Sequence, residues 1–189
     1  MPEPFQPINC PRLPQVRIYL AGPSGSGKTA VAQHLAEHHG FHRISLGDFC
    51  RREAEALGWP EDRHHLQQAG DRLRGTDPAT LGRLAIETPT PAGVWGVVVD
   101  GVRLPEEAQA LCWDGFLGVG VSASEWTRAR RLRARGERWP VPAHPSEWEA
   151  GECFIDYLFP ADDLESPGLL EVRVNRMLRW ARERTGRAR

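Results

Sequence analysis

The segment Gly22-Pro23-Ser24-Gly25-Ser26-Gly27-Lys28-Thr29 brings glycines, an ammonium group and a hydroxyl together at a spacing suited to phosphate. The pattern is Gly-x-x-x-x-Gly-Lys-Thr. Glycine lets successive backbone N–H groups curl around the α- and β-phosphates of a nucleotide. Lys28 supplies positive charge to the β- and γ-phosphates, the Thr29 hydroxyl can ligate Mg²⁺, and the following helix N-terminus favours anions. The predicted nucleotide-binding set is Gly22, Gly25, Ser26, Gly27, Lys28, Thr29 and Ala30, with ATP and Mg²⁺ as the implied ligands. Lys28 is the only lysine in a chain that otherwise uses arginine throughout. A compact ammonium survives here because a planar guanidinium does not replace it among phosphate oxygens.

Further residues carry compatible chemistry. Asp100 closes the run VWGVVVD and is followed by Gly101, the place at a strand end where an acid holds Mg²⁺ or its water. Arg103 follows two residues later, positioned for an anionic acceptor. Asp48 and Arg51 lie in ISLGDFCRR, and Gln68 and Arg72 in LQQAGDRLR, polar residues suited to a base or its phosphate. In TRARRLRARGER, Arg128, Arg131, Arg135 and Arg138 recur at three or four residues and share one side of a helix.

These segments resemble the nucleoside monophosphate kinase family. Its adenylate kinases carry a similar Ile-Ser-Thr-Gly-Asp-x-x-Arg stretch and an Asp-Gly-Phe-Pro-Arg stretch. The resemblance implies that Asp48 lies near the metal, that Arg51 grips the acceptor phosphate and that Arg103 is its second clamp. The stretch here reads DGVR, one residue shorter. LQQAGDRLR and DGVRLPEEAQAL are closer to phage-type deoxynucleoside monophosphate kinases and related kinase-like proteins, a similarity that spans about residues 16–138. It implies transfer of the γ-phosphoryl group of ATP to a nucleoside or deoxynucleoside monophosphate. Lys28, Arg103, Arg131 and Arg135 then act on the transferring group, Asp48, Arg51, Gln68, Arg72 and Arg103 bind the acceptor, and Thr29, Asp48 and Asp100 surround the metal.

Strands alternating with helices must position these groups. VRIYLA reads as a buried strand running into the loop, KTAVAQHLAEHHG as a helix, His42–Ser45 as a strand, and Gly47–Leu57 and 61–75 as helices. Asp77-Pro78 suits the start of a helix through Glu87, 94–100 and 116–121 are strands, and 104–112 and 124–135 are helices. Ser146 and Glu149 suit a capping box for a helix through about Tyr157, and a last helix runs from about 168 to 185. Nearly all-apolar strands indicate a parallel sheet covered on both faces, hence an α/β, three-layer α/β/α P-loop fold with helical excursions for lid and acceptor. Residues 1–15 form a flexible lead and 16–185 one domain, in which 47–90 serves the acceptor and 128–150 the lid; 186–189 is a frayed tail.

Bulk properties exclude other classes. Net charge is −1 with a pI near 6.7, unlike the basic surface of a nucleic-acid binder, and no apolar run reaches the ~20 residues of a membrane span. Cys10, Cys50, Cys112 and Cys153 are scattered, which fits a reducing, cytoplasmic setting. The adjacent pairs His38–His39 and His64–His65 make poor joint metal ligands, because helix neighbours diverge by about 100°. A monomer or homodimer is expected. Alternatives are a kinase of dephospho-coenzyme A or a nucleoside, or an ATP-dependent regulatory protein contacting nucleic acid through its basic C-terminal tail.

Overall fold

A computed structural model describes residues 16–139, 153–166 and 168–187. The strands are β1 (Val16–Ala21), β2 (Phe41–Ser45), β3 (Gly96–Val102), β4 (Leu117–Ser122) and β5 (Tyr157–Pro160). The helices are α1 (Lys28–His38), α2 (Leu46–Ala56), α3 (Arg63–Arg74), α4 (Thr80–Glu87), α5 (Pro105–Trp113), α6 (Glu125–Ala134) and α7 (Leu169–Arg187). The sheet has the order β2-β3-β1-β4-β5 and every pairing is parallel.

Each strand's side chains alternate between two helical layers, because successive residues point to opposite faces. Ile18, Leu20, Val98, Val119 and Val121 pack with Val31 and Leu35 of α1 and Met177 of α7. Tyr19, Ala21, Ile44, Val97 and Val99 pack with residues of α2, α4 and α5, among them Leu46, Leu81 and Leu111. The expected three-layer α/β/α architecture is therefore present, and β1 is buried at its centre.

Three local expectations change. The third strand begins at Gly96, where an added Cβ would come within 2.5 Å of both the Phe41 ring and the Val16 carbonyl oxygen. It continues past Asp100 to Val102, with a register shift between Leu20 and Ala21 on its neighbour. α4 starts at Thr80 rather than beside Asp77, because the Asp77 carboxylate accepts from Ala79 N at 3.1 Å and closes a turn before the helix. Ser146 and Glu149 lie outside the described residues. Residues 153–156 are not helical, and Tyr157 opens β5 instead of closing a helix. The cause is tertiary: Phe159 of β5 is fully buried against the sheet, while its neighbour Leu158 faces outward at the edge.

The layer carrying α2 to α5 is pinned by one buried charge pair. Glu107, in the first turn of α5, is fully buried and accepts from the backbone N–H groups of Arg103 (3.1 Å) and Leu104 (3.2 Å). Its other oxygen receives Arg74 Nε at 3.0 Å and Nη2 at 2.7 Å. Gly82 of α4 packs against the same residue, since a Cβ there would lie 2.8 Å from the Glu107 carbonyl oxygen. Removing one member of such a pair leaves an uncompensated buried charge, at a cost of about 3–5 kcal/mol. Glu107→Ala should therefore lower the urea unfolding free energy by about that amount, with Glu107→Gln less damaging because it keeps a backbone acceptor. A loss under about 1 kcal/mol for Glu107→Ala would contradict this role.

Candidate active site

Between β1 and α1 the chain turns through three glycines with positive φ: Gly22 at 141°, Gly25 at 78° and Gly27 at 105°. Space as well as backbone angle demands glycine. A Cβ at Gly22 would lie 2.3 Å from the Val121 carbonyl oxygen of β4, and one at Gly25 would lie 3.0 Å from the Arg128 carbonyl oxygen of α6.

The carbonyls of this loop are met by cations. Lys28 Nζ donates to Gly22 O at 2.6 Å and Pro23 O at 3.0 Å. Arg128 Nε donates to Ser24 O at 2.9 Å, and Arg131 Nη1 to Ser26 O at 3.2 Å and Gly25 O at 3.4 Å. Five consecutive carbonyls thus accept from side chains bearing positive charge. Arg131 also donates to Ala161 O at 2.7 Å, Asp162 O at 3.1 Å and Glu165 Oε1 at 3.0 Å, fastening the loop to the segment after β5. Its hydrogen bond, more than its charge, holds the Glu165 carboxyl below the ordinary glutamate range.

Arg63 of α3 spans the loop from the other side. It donates through Nη2 to Ser24 Oγ at 3.0 Å and through Nη1 to Glu137 Oε2 at 2.9 Å. The helix expected to face the acceptor is thereby joined to the segment following α6.

Asp100 lies level with Leu20 of β1 and Ser45 of β2, at the carboxyl ends of the strands. There, open parallel sheets bind their ligands. The residue is 3% exposed and Oδ2 accepts from Arg43 Nη2 at 2.9 Å. Among the described residues Asp100 Oδ1 and the fully buried Ser26 Oγ have no hydrogen-bond partner. Leaving buried oxygens unsatisfied is costly, so such groups point to a ligand that completes them. The donor set fits the expected group: carboxylate and hydroxyl oxygens suit Mg²⁺, and a glycine cradle suits a polyphosphate.

The remaining predicted residues fall in two places. Gly101, with φ of 90°, stands against the start of α2, its missing Cβ 3.7 Å from Gly47 N. This brings Asp48 and Arg51 beside the end of β3. Arg51 pairs with Asp48 and, through Nε, with Glu61 at 2.8 Å. Burial raises the thiol pKa of Cys50, the charges of Arg74, Arg103 and Arg51 oppose that rise, and Glu107 adds to it. Gln68 and Arg72 are exposed on α3, where Arg72 pairs with Glu53 at 2.9 Å. Thr29 and Ala30 are exposed in the first turn of α1. Arg135, just past α6, pairs with Glu137 at 3.2 Å and does not touch the loop, whereas Arg131 does. Nothing in local spacing marks Arg43, Arg63 and Glu137, because their partners are 39 to 74 residues away.

The model of an AAA domain family matches residues 18–147. A UPF0200 protein of Aeropyrum pernix is 31% identical over 175 residues, covering 83% of this chain and 92% of its own length. A cytidylate kinase of Halobacterium salinarum is 32% identical over 142 residues, 71% of this chain and 66% of that protein. An adenylate kinase of Xanthobacter autotrophicus is 33% identical over 99 residues, and this chain spans about half its length. Among solved structures, the shikimate kinase of Bacteroides thetaiotaomicron has the same fold, with a TM-score of 0.58 at 17% identity over 87% of this chain and 97% of that one.

The start of α6 offers a test by pH. Asp162 Oδ1 accepts from Ser124 N and Thr127 Oγ1, each at 2.8 Å, and its carboxyl is pulled down to about 2, first by hydrogen bonding to Ser124. Free aspartate titrates near 3.9, so the contribution is complete above about pH 4 and fades as pH falls toward 2. Asp162→Ala should lower the denaturation midpoint relative to wild type at pH 6, and the gap should narrow by pH 3. A gap that stays constant or widens in acid would contradict a stabilising role for these two hydrogen bonds.

Proposed function

The chain belongs to the AAA domain family of P-loop proteins, and from that premise we propose that it transfers the γ-phosphoryl group of ATP to a nucleoside or deoxynucleoside monophosphate. Its kinase relatives and its P-loop kinase fold make it an ATP-dependent phosphotransferase. The choice of acceptor rests on one observation above all. Arg51 in α2, the helix whose start packs on Gly101, and Arg103, the residue after β3, both lie near the carboxyl end of that strand with the unsatisfied Asp100 Oδ1, where an anionic acceptor would meet the nucleotide tail. The adenylate and cytidylate kinases among the relatives support a monophosphate there.

In this reading the amides of Gly25 to Ala30 hold the ATP phosphates, and Lys28 leaves the carbonyls of Gly22 and Pro23 to meet the β- and γ-phosphates. Thr29, Asp48 and Asp100 would hold Mg²⁺, which when bound neutralises charge on the phosphate oxygens. Arg51 and Arg103 clamp the acceptor phosphate so that its oxygen lies in line with the γ-phosphorus, with Gln68 and Arg72 toward the base. Arg131 and Arg135 belong to the lid region at 128–150, and Arg131 steadies the loop from behind. The oxygen–γ-phosphorus bond forms as the β,γ-bridging bond breaks, giving ADP and a nucleoside diphosphate. Positioning and charge supply the acceleration, with water kept out so that ATP is not hydrolysed.

The test is ADP release measured across a panel of ribo- and deoxyribonucleoside monophosphates, with dephospho-coenzyme A, nucleosides and shikimate alongside and the product identified by mass. Lys28→Ala should cut turnover at least about 100-fold with every acceptor. Arg51→Ala and Arg103→Ala should each raise the acceptor KM about 10- to 100-fold, the worth of one charge-assisted hydrogen bond, with ATP affinity unchanged. Wild-type KM in both arginine variants would overturn the acceptor site. Turnover with another acceptor alone, or tight salt-sensitive RNA binding without transfer, would overturn the substrate assignment.

A further inference from the structure

On the α1–α7 side of the sheet, away from the groups above, three side chains meet that the proposed reaction leaves unused. His34 Nε2 lies 2.6 Å and His39 Nε2 3.2 Å from the same oxygen of Glu171, Oε2. A carboxylate only accepts, so each Nε2 carries hydrogen and donates to it. The three ligand-type atoms all lie within 4.8 Å of one another. Both imidazoles are largely covered, with side chains 16% and 14% exposed, whereas Glu171 is 44% exposed and leaves one side open to water. Asn175 Nδ2 donates to the other carboxylate oxygen at 2.6 Å, one turn along α7, and so orients the group.

The two histidines converge for a local reason. Residues five apart on a regular helix point about 140° away from each other. His39 is the residue that ends α1, and its φ of −122° departs from helical geometry, which swings its ring back over the helix until its centroid is 5.4 Å from that of His34. Adjacent histidines on a helix diverge too far to act together; a helical residue and a residue beyond the helix end do not.

We propose that His34, His39 and Glu171 form a zinc-binding site, completed by water, that clips the C-terminal helix α7 to α1. Two imidazole nitrogens and one carboxylate oxygen are a ligand set that zinc uses with water in the fourth position, and nitrogen donors disfavour Mg²⁺. Tetrahedral bonds of about 2.0–2.1 Å place ligand atoms about 3.3 Å apart. The His39 spacing already meets this, and the His34 spacing needs only a small rotation of the Glu171 stem. Zinc takes the lone pair of each Nε2 while the ring proton moves to Nδ1, so a neutral imidazole neither gains nor loses a proton. Counting along α1 at about 1.5 Å per residue, the site lies about 9 to 16 Å from Lys28. Its role is therefore structural, and it is independent of the acceptor assignment.

The experiment is calorimetric titration of the tag-free full chain with Zn²⁺, with Mg²⁺ in excess to occupy oxygen sites. One zinc per chain is expected. At 100 times the dissociation constant, zinc should raise the melting temperature by about 5–10 °C. His34→Ala and His39→Ala should each weaken binding more than 10-fold, Glu171→Gln likewise, and Asn175→Ala about 10-fold as loss of an orienting partner. His38→Ala is the control: its ring centroid lies 4.6 Å from that of His34, tilted by 53°, but no hydrogen bond joins it to Glu171, and zinc affinity should not change. Circular dichroism without zinc establishes that each variant is folded, and Co²⁺ substitution in wild type gives a readout that needs no variant, the visible absorption of a tetrahedral nitrogen–oxygen site. No zinc binding by wild type, equal binding by folded His34→Ala and His39→Ala, or equal loss in His38→Ala would each overturn the site.

Discussion

A loop that aims its N–H groups at a ligand turns its carbonyls the other way, and those carbonyls need partners of their own. Here the oxygens of Gly22 through Ser26 are met by Lys28, Arg128 and Arg131. The arrangement explains why α6 lies where it does. Two of its arginines are spent behind the loop, and glycine at 25 is required so that the α6 backbone can approach it. The same fork of Arg131 reaches the 161–165 segment, so sheet edge, α6 and loop become one unit. A guanidinium suits this work because its five donors can serve several carbonyls at once.

The sheet supplies the second constraint. Five parallel strands place every strand-to-helix connection on one edge of the layer, and the central position of β1 puts Asp100, Ser45 and the loop side by side. Charge is concentrated along that edge and is largely paired within it: Arg43 with Asp100, Arg51 with Asp48, Arg63 with Glu137. A ligand entering there exchanges partners rather than finding bare charge, which limits the desolvation cost of binding.

Much of this was legible in the sequence. The strand–loop–helix context of the glycine-rich segment, the apolar runs of β1, β3 and β4, and the helical spacing of the arginines in α6 are local signals, and the structure has each element within a few residues of its expected place. What the spacing could not say is which way a stripe faces. Arg128 and Arg131 turn inward and Arg135 outward because of what α6 packs on. The strand Tyr157–Pro160 was hidden because four residues ending in proline carry almost no periodic signal, and its identity comes from pairing with β4. Arg43, Arg63 and Glu171 are long-range partners whose local sequence resembles any solvated surface.

The pairing of Lys28 with its own loop has one more implication. As the sole lysine, it is the only side chain in the sequence that carries a primary amine, and its nitrogen is held by two carbonyls inside the turn. Chemical modification of this protein at primary amines is thus confined, among side chains, to the phosphate loop. Amine-directed reagents that would scatter over the lysines of an ordinary enzyme report, among the side chains of this one, on a single atom.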